Sequence, residues 1–155
     1  MRNDTVDGFA RLTKFHAPAG LTAFALILTF WTSTIAVEIF GSIAAVTWVK
    51  SAIAWGLLIL VPAIAITGIS GFRMAQGSQN RDVLNKKRRM PLIGVNGVFI
   101  LAPAAITLAI LAARGDFGPM FVTVQTFELI AGAINLTLMA LNIRDGRRLT
   151  GWKRA

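Results

Sequence analysis

Residues 86–119 read Lys86-Lys-Arg-Arg-Met-Pro-Leu-Ile-Gly-Val-Asn-Gly-Val-Phe-Ile-Leu-Ala-Pro-Ala-Ala-Ile-Thr-Leu-Ala-Ile-Leu-Ala-Ala-Arg-Gly-Asp-Phe-Gly-Pro119. Four consecutive cations lead into an uncharged apolar run, 90–113, which ends at a single arginine and a turn-rich Gly115-Asp-Phe-Gly-Pro119. An apolar run longer than about 18 residues is long enough to cross a bilayer as a helix. Gly and Pro clusters mark the turn that follows it.

Three further runs of the same kind occur, so the expected spans are about 17–40, 47–72, 90–113 and 120–143. Between them remain short loops and two short tails, and the whole chain, 1–155, reads as one membrane domain. The composition agrees, with 55% hydrophobic residues and a mean hydropathy of +0.64, more apolar than ordinary soluble domains. The expected fold class is all-α: an integral membrane four-helix bundle of antiparallel up-down spans. The first apolar run is too long for the core of a cleavable signal, so it is expected to stay as an anchor.

The cations set the expected orientation. Fourteen of the sixteen Lys and Arg residues fall on alternate gaps. They are Arg2, Arg11 and Lys14 in the first tail, Arg73, Arg81, Lys86, Lys87, Arg88 and Arg89 in the second gap, and Arg144, Arg147, Arg148, Lys153 and Arg154 at the end. Only Lys50 and Arg114 lie on the other side. Short cationic loops stay in the cytoplasm, which places both termini inside (N-in, C-in) and leaves two short outer loops, 41–46 and 115–119. Gly77, Ser78, Gln79 and Asn80 open the longest connection, and 82–89 is expected to form a short basic interfacial helix. The net charge of +9 reads as orientation and anionic headgroup contact rather than nucleic-acid binding. Arg81, Lys86, Lys87, Arg88 and Arg89 are its expected lipid or acidic-partner contacts. The Ala/Gly/Arg-rich, Cys-free composition suggests a bacterial inner membrane.

Polar groups in hydrocarbon are costly, so the few inside the spans are informative. Gln125, Glu128, Gly132, Asn135, Met139 and Asn142 recur at alternating three- and four-residue spacing, which puts them on one face of the last span. That face is expected to look into protein. Glu128 either titrates, as a proton or cation relay, or pairs with a cation. Glu38, Lys50 and Arg114 all fall in the same outer half, making Lys50 and Arg114 its candidate partners. Asn96 and Asn135 are expected to hydrogen-bond across helices. Trp48 and Trp152 read as interfacial anchors, and Trp31 and Trp55 as bundle residues. Small residues, including Gly20, Gly68, Gly71, Gly94, Gly97 and Gly132, are expected to let helices approach.

Two octapeptides, 56–63 and 97–104, share five of eight positions, and each ends in a mid-span Pro-Ala. Each proline removes a backbone donor that neighbouring groups must accommodate.

The exclusions are as useful. There is no cysteine, which removes disulfides, thiol catalysis and Cys-ligated metals. There is no tyrosine. His16 is the only histidine and reads as an interfacial helix-end residue. One histidine cannot supply the paired axial ligands of the usual four-helix membrane cytochromes. A His16–Met ligation, or a haem shared across a dimer, is the one haem arrangement left open. Zinc needs three or four ligands, which the sequence does not supply. No catalytic residues, metal site or resident cofactor are therefore expected. The leading expectation is a non-catalytic membrane subunit or assembly factor that binds other membrane subunits or its own copies. The alternatives are a small proton- or ion-coupled transporter working as a homo-oligomer, and a haem- or quinone-associated redox subunit.

Overall fold

A computed structural model describes the backbone of residues 2–77 and 79–151, and the side chains of 14–77 and 79–148. The side chains of Arg2 and Arg11, and residues Trp152, Lys153 and Arg154, lie outside the described residues. The helices are α1 (Arg2–Phe40), α2 (Ile43–Met74), α3 (Arg81–Val95), α4 (Ala102–Ala113) and α5 (Pro119–Gly151), with a π-helical segment, Asn96–Leu101, joining α3 to α4. No strand occurs among the described residues. Four helical stretches, Lys14–Phe40, Ile43–Met74, Arg81–Ala113 and Pro119–Arg148, are long and apolar enough to cross a membrane. At 1.5 Å per residue each exceeds the ~30 Å of bilayer hydrocarbon. The chain is therefore a candidate multi-pass membrane protein built as an all-helical, four-helix bundle.

The connections are tighter than the sequence reading allowed. Only Gly41 and Ser42 separate α1 from α2, because the helix starts at Ile43 and not at residue 47. Ser42 caps it, accepting from the amide of Ala45 at 3.3 Å, which satisfies one donor left over at a helix start. Between α2 and α3 the backbone turns through Gly77 at φ 73°, a left-handed conformation that suits glycine. The expected interfacial helix at 82–89 does not form separately. Asn80 caps α3, accepting from Asp82 N at 2.9 Å, and the basic run continues without a break into the third apolar stretch. Asp116 and a left-handed Gly115 make the last turn.

Each stretch packs on the next, and α5 returns against α1, so among the described residues the four make a closed square whose diagonal helices do not pack backbone against backbone. On α2 the buried positions Val46, Val49, Lys50, Ile53, Leu57, Leu60 and Ile64 recur at helical spacing. Ala23 and Ile27 of α1, Ile93 of α3, Ala102 and Ala105 of α4, and Met139 of α5 meet this face in one core cluster. Val46, Leu108, Ala112 and Phe121 form a second cluster at the short-loop end, where Phe117 stacks edge-on against Phe121 at 5.0 Å.

The outer faces are apolar too, carrying Phe40, Trp48, Phe99 and Phe127 exposed. Trp55 belongs to this surface. It is 74% exposed, not in the bundle, because it lies about half a turn from the inward Ile53 and Leu57.

Pro103 sits just after the π segment, on the outside. There the Ala102 amide reaches back to Gly97 O, one residue further than in an α-helix. The wider turn accommodates the donor that Pro103 lacks. Pro62 lies inside a continuous α2, so the two similar octapeptides differ in local geometry. The glycines differ as well. A methyl added at Gly97 would meet Ile64 at 3.1 Å, and one at Gly132 would meet Trp31 at 2.8 Å, whereas Gly68 and Gly94 face open space and mediate no close approach.

Candidate functional site

The buried polar groups gather at two levels. Near the short-loop end, Lys50 stands on the inward stripe of α2 and is 0% exposed. It lies roughly 11 Å along the helix from Ile43, and Glu128 roughly 14 Å along α5 from Pro119, so the two reach the same depth. Their contact is direct, Lys50 Nζ to Glu128 Oε2 at 2.8 Å. Lys50 also donates to Thr34 Oγ1 of α1 at 3.3 Å, and Gln125 Nε2 approaches Glu128 Oε2 at 3.5 Å. One ammonium thus ties α1, α2 and α5. Trp31 adds a second α1–α5 tie, its indole N–H donating to Leu129 O at 2.9 Å. Gly132 leaves the room that the indole occupies.

Glu128 keeps 13% of its side chain exposed. It opens onto a cleft of about 40 Å³ lined mainly by apolar groups, with Phe30, Trp31, Thr34 and Leu57 among them. That is room for a few water molecules. The arrangement therefore holds a fixed charge pair beside a small apolar cleft.

The other two members of the expected outer set do not join it. Glu38 is exposed, and neither Glu38 nor Arg114 makes an ion pair among the described residues. Both lie within a turn of a helix end, where a side chain reaches outward at little cost. Thr34 and Trp31 share Glu38's side of α1 in sequence but turn inward.

Asn96 corrects a second expectation. Its amide donates to Ala131 O on α5 at 2.9 Å, not to Asn135. Asn135 is fully buried one turn further along, and neither its Nδ2 nor its Oδ1 has a hydrogen-bond partner. Gln125 Oε1 and Asn142 Oδ1 are likewise unpaired. The polar stripe of α5 does face the interior, but only part of it is satisfied there.

At the opposite, basic end lies a cluster that the sequence reading missed. Asp145 is 2% exposed. Its Oδ2 accepts from Arg89 Nη1 of α3 at 2.7 Å, and its Oδ1 from Arg144 at 3.1 Å. Lys86 packs beside it, its ammonium 3.1 Å from where a methyl on Gly146 would sit. Arg89 and Lys86 are thus half-buried against the bundle, while Arg81, Lys87 and Arg88 remain exposed. His16 is also drawn in. Its Nδ1 lies 2.9 Å from Ser70 Oγ on α2, and the Ser70 hydroxyl itself donates to Ile66 O. The contact ties α1 to α2, with the donor set by the His16 tautomer. Met90 packs against the same Gly71 that His16 touches. The expected interfacial histidine is a helix–helix tie. The signal for Asp145 was present, since it follows Asn142 by three residues on the stripe.

Among the described residues no group of three or more His, Asp or Glu side chains is placed to hold a metal ion. No family model, no curated protein and no solved structure matches the chain.

Proposed function

We propose that this chain is an integral protein of a bacterial inner membrane, crossing it four times with both termini in the cytoplasm, and that it serves as a non-catalytic subunit or assembly factor of a larger membrane complex. The observation that carries this reading is how the buried charges are used. Lys50 is spent on Glu128, and Arg89 and Arg144 on Asp145. Lys50–Glu128 and Arg89–Asp145 each join two helices within the bundle, which suits a scaffold. The surface left for other molecules is the broad apolar helix face with its exposed aromatic side chains. That face suits lipid or the helices of another subunit.

The orientation rests on the fourteen cations of the basic side. The chain has no cysteine, so single-cysteine labelling tests it directly. Ser42→Cys should react only with a reagent added outside, and Gln79→Cys only after the membrane is opened. Extraction in a mild detergent followed by size analysis tests the role. The expected outcome is a species larger than the monomer with a second membrane protein at fixed stoichiometry. A chain that always runs alone as a monomer overturns it.

A transporter acting as a homo-oligomer is the second reading. It is favoured by Glu128, a largely enclosed carboxylate that borders a cleft. Its test is Glu128→Gln in reconstituted vesicles, where unchanged proton or ion flux removes Glu128 from any such mechanism.

A further inference from the structure

Trp55 is out of place on a lipid-facing surface. It lies roughly 18 Å along α2 from Ile43, near the middle of a hydrocarbon layer of ~30 Å. There it is 74% exposed, and its indole N–H makes no hydrogen bond among the described residues. Tryptophan favours the two membrane interfaces, where such a donor stays wet, and an unsatisfied donor inside hydrocarbon is costly. Other outward groups avoid that cost. The exposed Thr32, Thr126 and Thr137 each donate to a carbonyl of their own helix at 2.8 Å. An indole cannot reach back in that way, so the Trp55 donor needs an acceptor on another helix.

The bundle already holds one such arrangement. The Trp31 indole packs where Gly132 of α5 leaves room and donates to the neighbouring Leu129 O at 2.9 Å. The outward seam of α2 carries both halves of the same device. Trp48, Ala52, Trp55, Ile59, Pro62 and Ile66 recur at alternating four- and three-residue spacing, and all are exposed. This is the heptad spacing of paired parallel helices. Long side chains on a helix lean back toward its N-terminus, so Trp55 overhangs the level of Ala52, the small residue of the seam. The knob and the hole thus lie one turn apart on a single surface, which is the condition for a two-fold contact between identical surfaces.

We propose that a second copy of this chain covers the α2 seam, about a two-fold axis along the membrane normal, with each Trp55 laid over Ala52 of the partner subunit and its N–H donated to a backbone carbonyl of that turn. This rests on the membrane reading proposed above and names one neighbour of the subunit. Both copies enter the bilayer in the same sense, so their α2 helices run parallel, as the seam requires.

The experiment uses the full chain labelled through Gln79→Cys with donor or acceptor dye, reconstituted in phosphatidylcholine vesicles and diluted with lipid while energy transfer is followed. Ala52→Leu fills the hole and should weaken association about tenfold by overpacking. Trp55→Phe keeps the ring and removes the donor, and should weaken it about threefold, the mean worth of a hydrogen bond between membrane helices. Ala36→Leu makes the same enlargement at an exposed position of α1 and should change association less than about twofold. Ala52→Leu without effect, or no worse than Ala36→Leu, overturns the seam, and Trp55→Phe without effect overturns the indole contact. In native membranes, oxidation of Ile59→Cys should give a disulfide-linked dimer of the chain, whereas Phe99→Cys and Phe127→Cys, at least as exposed on α5 and the third stretch, should not. Equal cross-linking at all three positions marks random collision and overturns the dimer. Alkaline carbonate washing separates the two readings. A chain released by the wash is not integral, and the membrane reading fails. A chain that stays but shows neither energy transfer nor the Ile59→Cys cross-link overturns the second copy alone.

Discussion

Replacing Lys50 by Met removes the ammonium that joins α1, α2 and α5 and leaves Glu128 facing apolar surroundings without its cation. Breaking one partner of a buried ion pair costs about 3–5 kcal/mol, because the remaining charge is left uncompensated. Glu128 retains 13% exposure and borders the cleft, so some water can reach it, and the lower end applies. A loss of about 3 kcal/mol in a chain of this size corresponds to a fall in Tm of roughly 6–12 °C. Thr34 keeps an alternative, since its hydroxyl can turn to its own helix backbone as the other threonines here do. Removing both charges, Lys50→Met with Glu128→Leu, leaves an apolar layer of similar volume. Such replacements are often neutral or stabilising, so the double variant should return to within about 1 kcal/mol of the original, equivalent to roughly 2–4 °C. The assay is thermal unfolding in one fixed detergent, completed as a double-mutant cycle. A Lys50→Met chain as stable as the original, or a double variant whose loss equals the sum of the singles, would refute the assignment of this contact as a coupled pair.

Three further outcomes follow from the geometry. Asn135→Leu should raise Tm, by up to about 1 kcal/mol of stability, because the buried amide has no partner to lose; a clear fall shows that the amide is satisfied in the native state. Gly132→Ala should cost about 1–3 kcal/mol by overpacking the indole of Trp31, and the same change in a Trp31→Leu background should cost much less in the same melting assay. Asp145→Asn should lower stability by about 1.5–3 kcal/mol, the range for hydrogen bonds to charged groups, since Arg89 and Arg144 both rely on it; a Tm unchanged by the substitution rules out a structural role for that cluster.

The four helices were legible because apolar length and the alternation of cationic gaps are properties of the chain itself. The inward face of α5 was legible for the same reason, since its polar side chains repeat at a strict helical period. Lys50 with Glu128 could be picked out because each is a lone charge deep in an apolar run. What sequence could not supply was the rotation of each helix about its own axis near its ends. Glu38 and Arg114 therefore looked equivalent to Lys50, yet they turn outward. Trp55 illustrates the opposite error, in which residue type was weighed above phase; its position relative to Ile53 and Leu57 already placed it outside. Asp145 was hidden among arginines, although the stripe that ends at Asn142 leads to it. Asn96 found a backbone carbonyl, a partner that carries no signature in sequence.

The π-helical segment at Asn96–Leu101 makes the third apolar stretch two helices spliced with a phase offset. Upstream, Arg89, Ile93 and Asn96 point at their partners; downstream, Ala102, Ala105 and Leu108 do the same. Both sets face inward only while the extra residue of the wide turn is present. Deleting one residue there would restore an ordinary helix and rotate one half against the other by about 100°. The half carrying Arg89 would swing away from Asp145 while the other kept its packing. For this stretch a single-residue deletion is thus a change of angular registration between the two ends of the bundle, and the segment works as the splint that keeps them aligned.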